Sequence, residues 1–207
     1  GQEIPGVPVF GDDFGVAGLF VENWDAAKGV KCDAGSAKIP SGNSMTLRRK
    51  VEGDFAITAD LTVERPVGKD VGHCGVTIDG INFMITPRQQ PIANTAYRVP
   101  GEERSRGASA GAIPGFEFGK PCRIMISRQK LGESCKYSYK VNGNPVDSFN
   151  VMMPVKGKIG FYGYKTSIEI DNFQLYSIKS EGSNNLAVNS SFEHLQEGMP
   201  NYMKPVF

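Results

Sequence analysis

Apolar and polar positions alternate with a period of two along most of this chain, and almost no segment repeats at the 3.6-residue spacing of a helix. The clearest run is Phe55-Ala-Ile57-Thr-Ala59-Asp-Leu61-Thr-Val63-Glu64. Its odd positions are apolar while Thr58, Asp60, Thr62 and Glu64 lie on the other side, which predicts a strand with one core face and one wet face. Next, Cys74-Gly-Val76-Thr-Ile78, Asp79-Gly80 and Ile81-Asn-Phe83-Met-Ile85 read as a hairpin. A two-residue type I′ turn at Asp79-Gly80 pairs Ile78 with Ile81, Val76 with Phe83 and Cys74 with Ile85, placing all six on one face. A third hairpin runs from Cys122-Arg-Ile124-Met-Ile126 through a loop near 130–134 to Cys135-Lys-Tyr137-Ser-Tyr139-Lys-Val141, with Cys135 facing about Gln129. Asn142-Gly143 then turns the chain so that Val146 falls opposite Tyr139. Along the last strand Ile168 and Ile170 share one parity and Phe173 and Leu175 the other, which predicts a bulge at Asp171-Asn172.

Strands at this spacing, joined by Gly, Asn and Asp turns, predict an all-β antiparallel sandwich. Its expected core holds Phe55, Ile57, Leu61, Val76, Ile78, Ile124, Ile126 and Phe173. Trp24, the sole tryptophan, is expected at least half buried, because its area would otherwise leave an apolar patch. Two regions break the rhythm. Residues 87–115 are too long for an ordinary connection, and such a stretch is either functional or a mobile insertion with solvated charges. Residues 180–185 have linker composition, and 186–207 follow as a separate segment.

Composition narrows the function classes. Lys+Arg of 23 against Asp+Glu of 22 gives a net charge of +1, so there is no electrostatic footprint for nucleic acid or an anionic membrane. No apolar run approaches the roughly 20 residues of a membrane helix. Gly1 ahead of Gln2-Glu3-Ile4-Pro5 suits a mature terminus, and the expected location is secreted, periplasmic or cell-surface. Cys32, Cys74, Cys122 and Cys135 show no Cys-x-x-Cys spacing and have only two histidines to join them, which argues against structural zinc. Buried thiols alternating with Ile and Val are the favoured reading, and an exported protein would also permit disulfides.

The closing stretch Gly157-Lys-Ile-Gly160 leading to Ile170-Asp-Asn-Phe173 resembles the way concanavalin A-like sugar-handling sandwiches close. Together with Phe10-Gly-Asp-Asp-Phe14, Trp24, Gly53-Asp-Phe55, Gly75-Val76 and Tyr137-x-x-x-Val141-Asn-Gly143, it occurs in the order seen in laminin-G-like and 3-keto-disaccharide hydrolase-like domains. The resemblance covers about 9–179. Leu186-Ala-Val-Asn-Ser-Ser-Phe192-Glu resembles the opening of galactose-binding-like carbohydrate modules, which implies a truncated second module and neighbouring domains in a longer chain.

The resemblance implies glycan handling, as a carbohydrate-binding or accessory domain for an oligo- or polysaccharide. The alternatives are a glycoside hydrolase-like enzyme and a structural spacer. Glu169-Ile-Asp171 resembles the Glu-x-Asp-x-x-Glu core of laminarinase-type glucanases, but Gln174 stands where the second glutamate belongs. Hydrolysis needs two carboxylates about 5–5.5 Å or roughly 6.5–9.5 Å apart, and this strand offers no such pair, so no catalytic residue is assigned. His73 reads as a strand-edge residue rather than a base. Sugar recognition needs a flat ring and paired hydrogen-bonding groups, which Tyr97, Arg88, Gln89 and Arg98 of the long loop would supply. No cofactor is expected, apart from a calcium ion that related sandwiches hold between the first and last strands. Asp12 or Asp13 beside Asp171 would ligate it, and turn roles account for the same aspartates without a metal.

Overall fold

Alternation becomes strand almost wherever the sequence carries it. The computed structural model describes residues 6–66, 72–87, 93–107, 113–152 and 157–179. In chain order these form β1 (Val7–Asp12), the short helix α1 (Ala17–Asn23), β2 (Trp24–Ala26), β3 (Lys31–Asp33), β4 (Ser36–Ile39), β5 (Ser44–Leu47), β6 (Phe55–Val63), β7 (His73–Ile78), β8 (Ile81–Pro87), β9 (Ala93–Arg98), β10 (Pro121–Leu131), β11 (Ser134–Val141), β12 (Asn144–Val151), β13 (Ile159–Tyr164) and β14 (Ile168–Ser177).

Two antiparallel sheets pack face to face. One runs β12-β11-β10-β6-β14-β4-β3 with β1 also on β14, and the other runs β2-β5-β13-β7-β8-β9. The core between them contains every residue expected there, and Trp24 is fully buried with 1% exposure. Its ring meets Phe14, Phe161 and Phe173 at centroid separations of 5.8, 5.9 and 5.2 Å, the last edge to face. Burying each such side chain contributes roughly 1.5–3 kcal/mol.

The hairpin at Asp79-Gly80 has the expected register, and both turn residues take positive φ (52° and 89°) as a type I′ turn requires. The bulge in β14 is also present. The register against β6 shifts between Asp171 and Gln174, Asn172 sits at φ 48°, and Ile168, Ile170, Phe173 and Leu175 are all buried as a result.

Three expectations need correction. Cys135 pairs with Lys130 and not Gln129, because the turn at Gly132-Glu133 is tighter than the loop read from sequence. A register shift after Tyr139 puts Asp147, in place of Val146, opposite it. Residues 87–115 are not one irregular connection, since β9 lies within them and Tyr97 forms a further bridge with Arg106. All four cysteines are free, three of them buried. The linker at 180–185 and the proposed second module at 186–207 lie outside the described residues.

Candidate functional site

The register of the six-stranded sheet fixes what its outer face presents. Met45, Cys74, Val76, Ile78, Ile81, Phe83, Ile85, Ile159 and Phe161 point into the core, so their neighbours along each strand point outwards. Three rows result. The first crosses the sheet as Asp25, Thr46, Gly160, Thr77, Asn82 and Arg98. The second holds Ser44, Tyr162, Gly75, Met84 and Ala96, of which Met84 and Ala96 are buried. The third contains the Tyr164–His73 pair and, on the neighbouring strand, Thr86.

Glycine lies at the centre of the first two rows. A Cβ on Gly75 would stand 2.1 Å from the Phe83 carbonyl oxygen, and one on Gly160 would stand 2.8 Å from that of Met45, so neither position admits a side chain without backbone movement. The middle of the face is therefore low. Tyr162, Tyr164, His73, Thr77, Asn82 and Arg98 rise around it.

These side chains are already organised. His73 Nδ1 lies 2.8 Å from the Tyr162 hydroxyl, and the His73 ring stands at 5.3 Å from Tyr162 and 5.0 Å from Tyr164. The Thr77 hydroxyl donates to Asn82 Oδ1 at 3.0 Å. Burial, and then the Arg98 cation, hold the His73 imidazole below its ordinary pKa of 6.5. Burial pushes the Tyr162 phenol well above its ordinary value. Around neutral pH the pair is a neutral imidazole hydrogen-bonded to a neutral phenol. Such a pair offers a donor and an acceptor to hydroxyl groups, beside the half-exposed ring of Tyr164.

The residues expected to form the site fall elsewhere in part. Arg88 and Gln89 lie outside the described residues. Arg98 does reach the face, at the edge of the first row, with Nε donating to the Glu102 carbonyl at 3.2 Å. Tyr97, the neighbour of opposite parity, points inwards and is 2% exposed. Its ring stacks on Phe149 with centroids 3.9 Å apart, and its hydroxyl donates to Asp147 at 2.6 Å. Both ring faces are committed to packing, so Tyr97 cannot act as the sugar platform, and the exposed aromatic on this sheet is Tyr164.

The aspartates at the meeting of first and last strands also have turn roles. Asp12 accepts from the Phe14 amide at 2.8 Å and from the Trp24 indole at 2.9 Å, while Asp13 accepts from the Gly15 amide at 2.9 Å. Asp171 accepts from the Asn172 amide at 2.7 Å. No group of three or more His, Cys, Asp or Glu suited to a metal occurs among the described residues. On the outer face of the other sheet Asp171 pairs with Asp60, and Asp60 takes a bidentate grip from Arg123 at 2.6 and 3.2 Å.

Sequence reading did not place Tyr162 and Tyr164 on this face. The available signal was aromatic residues on the polar parity of Phe161-Tyr-Gly-Tyr164, where a wet strand face would carry small or charged groups.

The two packed antiparallel sheets are those of a concanavalin A-like jelly roll. Cellulose induced protein Cip1 has a similar fold, with a TM-score of 0.61 at 12% identity over 83% of this chain and 99% of that one. A legume lectin-like domain from Entamoeba histolytica matches with a TM-score of 0.61 at 13% identity over 84% of this chain and 99% of that one. An endo-1,3-beta-glucanase from Streptomyces sioyaensis gives 0.59 at 11% identity over 87% of this chain and 99% of that one. No family model and no curated protein matches the sequence.

Proposed function

We propose that this domain binds a neutral oligo- or polysaccharide across the outer face of its six-stranded sheet, as a binding or accessory module of an exported glycan-processing protein. The observation that carries the reading is the ring of His73, Tyr162, Tyr164, Thr77, Asn82 and Arg98 around a floor of Gly75 and Gly160. Sugar rings stack on exposed aromatic faces, and their hydroxyls pair with planar polar groups, which are the two chemistries this face combines. The fold likeness to a lectin-like domain and a glucanase agrees with it. Arg88 and Gln89, next in sequence after Pro87 of β8, remain part of the proposed site.

Hydrolysis, which the 3-keto-disaccharide hydrolase-like resemblance would imply, has less support. Paired carboxylates are the ordinary machinery, and among the described residues of the three rows Asp25 is the only carboxylate.

Calorimetry against soluble glucans, xylans and galactans tests the proposal. We expect micromolar to millimolar affinity, about −4 to −8 kcal/mol, for one class. His73→Ala and Tyr164→Ala each weaken it about tenfold, while Arg104→Ala leaves it unchanged. No heat with any polysaccharide, or equal loss from all three variants, removes the face as a binding site and leaves the spacer reading.

A further inference from the structure

A second cleft, of about 710 Å³, opens at the end of the sandwich where the β7–β8 turn lies, lined among others by Lys50, Lys130, Lys158, Arg128, Glu52 and Cys135. Its floor is built from a buried ion pair. Arg128 points inwards from β10 and is 2% exposed, its Nη1 donating to Asp79 Oδ2 at 2.8 Å and its Nη2 to the Gly53 carbonyl at 2.6 Å. The guanidinium also lies 4.5 Å from the Phe55 ring centroid. Asp79 Oδ1 accepts from the Lys158 amide at 3.1 Å, and the Asp79 amide donates back to the Lys158 carbonyl at 3.0 Å. The Val51 amide donates to the Gly157 carbonyl at 2.9 Å, so the three segments around the cleft are laced together by backbone and buried charge.

Charge in this cleft is unbalanced. Lys50, Lys130, Lys158 and Arg128 stand against Glu52, Asp79 and Asp54, whose carboxylate accepts from the Lys130 amide at 2.7 Å, leaving one positive charge. The three lysines are exposed, and no ion-pair partner of their ammonium groups occurs among the described residues. The hydroxyl of Tyr137, the register partner of Arg128, is buried beside the same guanidinium. A fixed guanidinium with three exposed lysines on the same cleft supplies the kind of donors an oxyanion site uses. Four cationic groups on one cleft suit an anion, and the volume lies within the few hundred to about 1,000 Å³ of small-molecule pockets, well beyond a bare ion.

We infer that this cleft binds a phosphate monoester carried on a small organic body such as a sugar. The phosphate sits among Lys50, Lys130 and Lys158 above Arg128, and the organic part occupies the remaining space. The site lies at the end of the sandwich and is separate from the sheet face proposed for neutral glycan.

Titration calorimetry of the full chain with glucose 6-phosphate, inorganic phosphate and glucose tests this. Glucose 6-phosphate is expected to bind at millimolar affinity or better, at least about fivefold tighter than inorganic phosphate, and glucose not at all. Lys130→Ala and Lys158→Ala, both exposed positions, each weaken the sugar phosphate about fivefold or more. Raising salt weakens it further, as does lowering the pH below about 6, where the phosphate monoester dianion takes up a proton and becomes a monoanion. His73→Ala leaves this binding unchanged, so failure here and failure of the glycan face are told apart. Absence of binding, or binding unaffected by the lysine variants, overturns the inference, and equal affinity for inorganic phosphate overturns its organic part.

Discussion

Single side chains in this protein serve more than one element at a time. Asp12 closes the turn at Phe14 and holds the indole of Trp24, so one carboxylate positions the largest ring of the core. Asp12→Ala leaves that buried N–H without a partner, and we expect about 1–3 kcal/mol of lost stability by urea unfolding. Asp79 is more demanding, because its removal strands the Arg128 cation at 2% exposure. Asp79→Ala should cost about 3–5 kcal/mol, and a loss below about 1 kcal/mol would mean that water reaches the guanidinium. Gly75 has no room for any side chain, with φ at 146° and the Phe83 carbonyl 2.1 Å from the missing Cβ. Gly75→Ala is expected to cost at least about 2 kcal/mol and to distort the face that carries Tyr162 and Met84.

At the scale of elements, the bulge in β14 lets one strand serve two neighbours. Ile168–Ile170 pair with β4 and Phe173–Ser177 with β1, while β6 runs along the other side. Asn172 sustains this at φ 48°, with its Nδ2 donating to Asp60 at 2.8 Å. Asn172→Val loses that bond and forces a β-branched residue into left-handed backbone, which should lower stability by about 2–3 kcal/mol in the same unfolding assay. The bulge and the Asp79-Gly80 hairpin were legible because each leaves a local mark, a parity switch or an Asp-Gly pair between alternating runs. Strand β9 was not. Asn-Thr-Ala-Tyr-Arg has little apolar alternation, and what makes it a strand is its pairing with β8, which local sequence does not carry. The face of the six-stranded sheet was hidden for the same reason. His73, Tyr162, Asn82 and Arg98 come from four strands, and only the register brings them together.

For the whole molecule, the buried titratable groups set a pH window. His73 has a folded pKa below the unfolded value, so the unfolded chain binds the extra proton first and stability falls as the pH drops below about 6.5. On the alkaline side burial holds the Cys122 thiol at about 12 against 9.0, and burial with the Asp147 hydrogen bond holds the Tyr97 phenol at about 12 against 10.0. Raised folded values contribute stability that is present below the unfolded pKa and lost above it. Urea midpoints should therefore be highest between about pH 6.5 and 9 and fall on both sides. A midpoint that stays level from about pH 8.5 to 11 would contradict the burial of these groups. The pairing of Val7 with Ser177 has another consequence. The first and last strands of the sandwich meet as neighbours there, so Ser177 can be joined to Val7 by a short peptide and new ends opened elsewhere. Opening at Gly132-Glu133, on the exposed β10–β11 turn, should give a circular permutant that keeps both sheets, the kind of rearrangement that lets a domain be spliced into the loop of another protein.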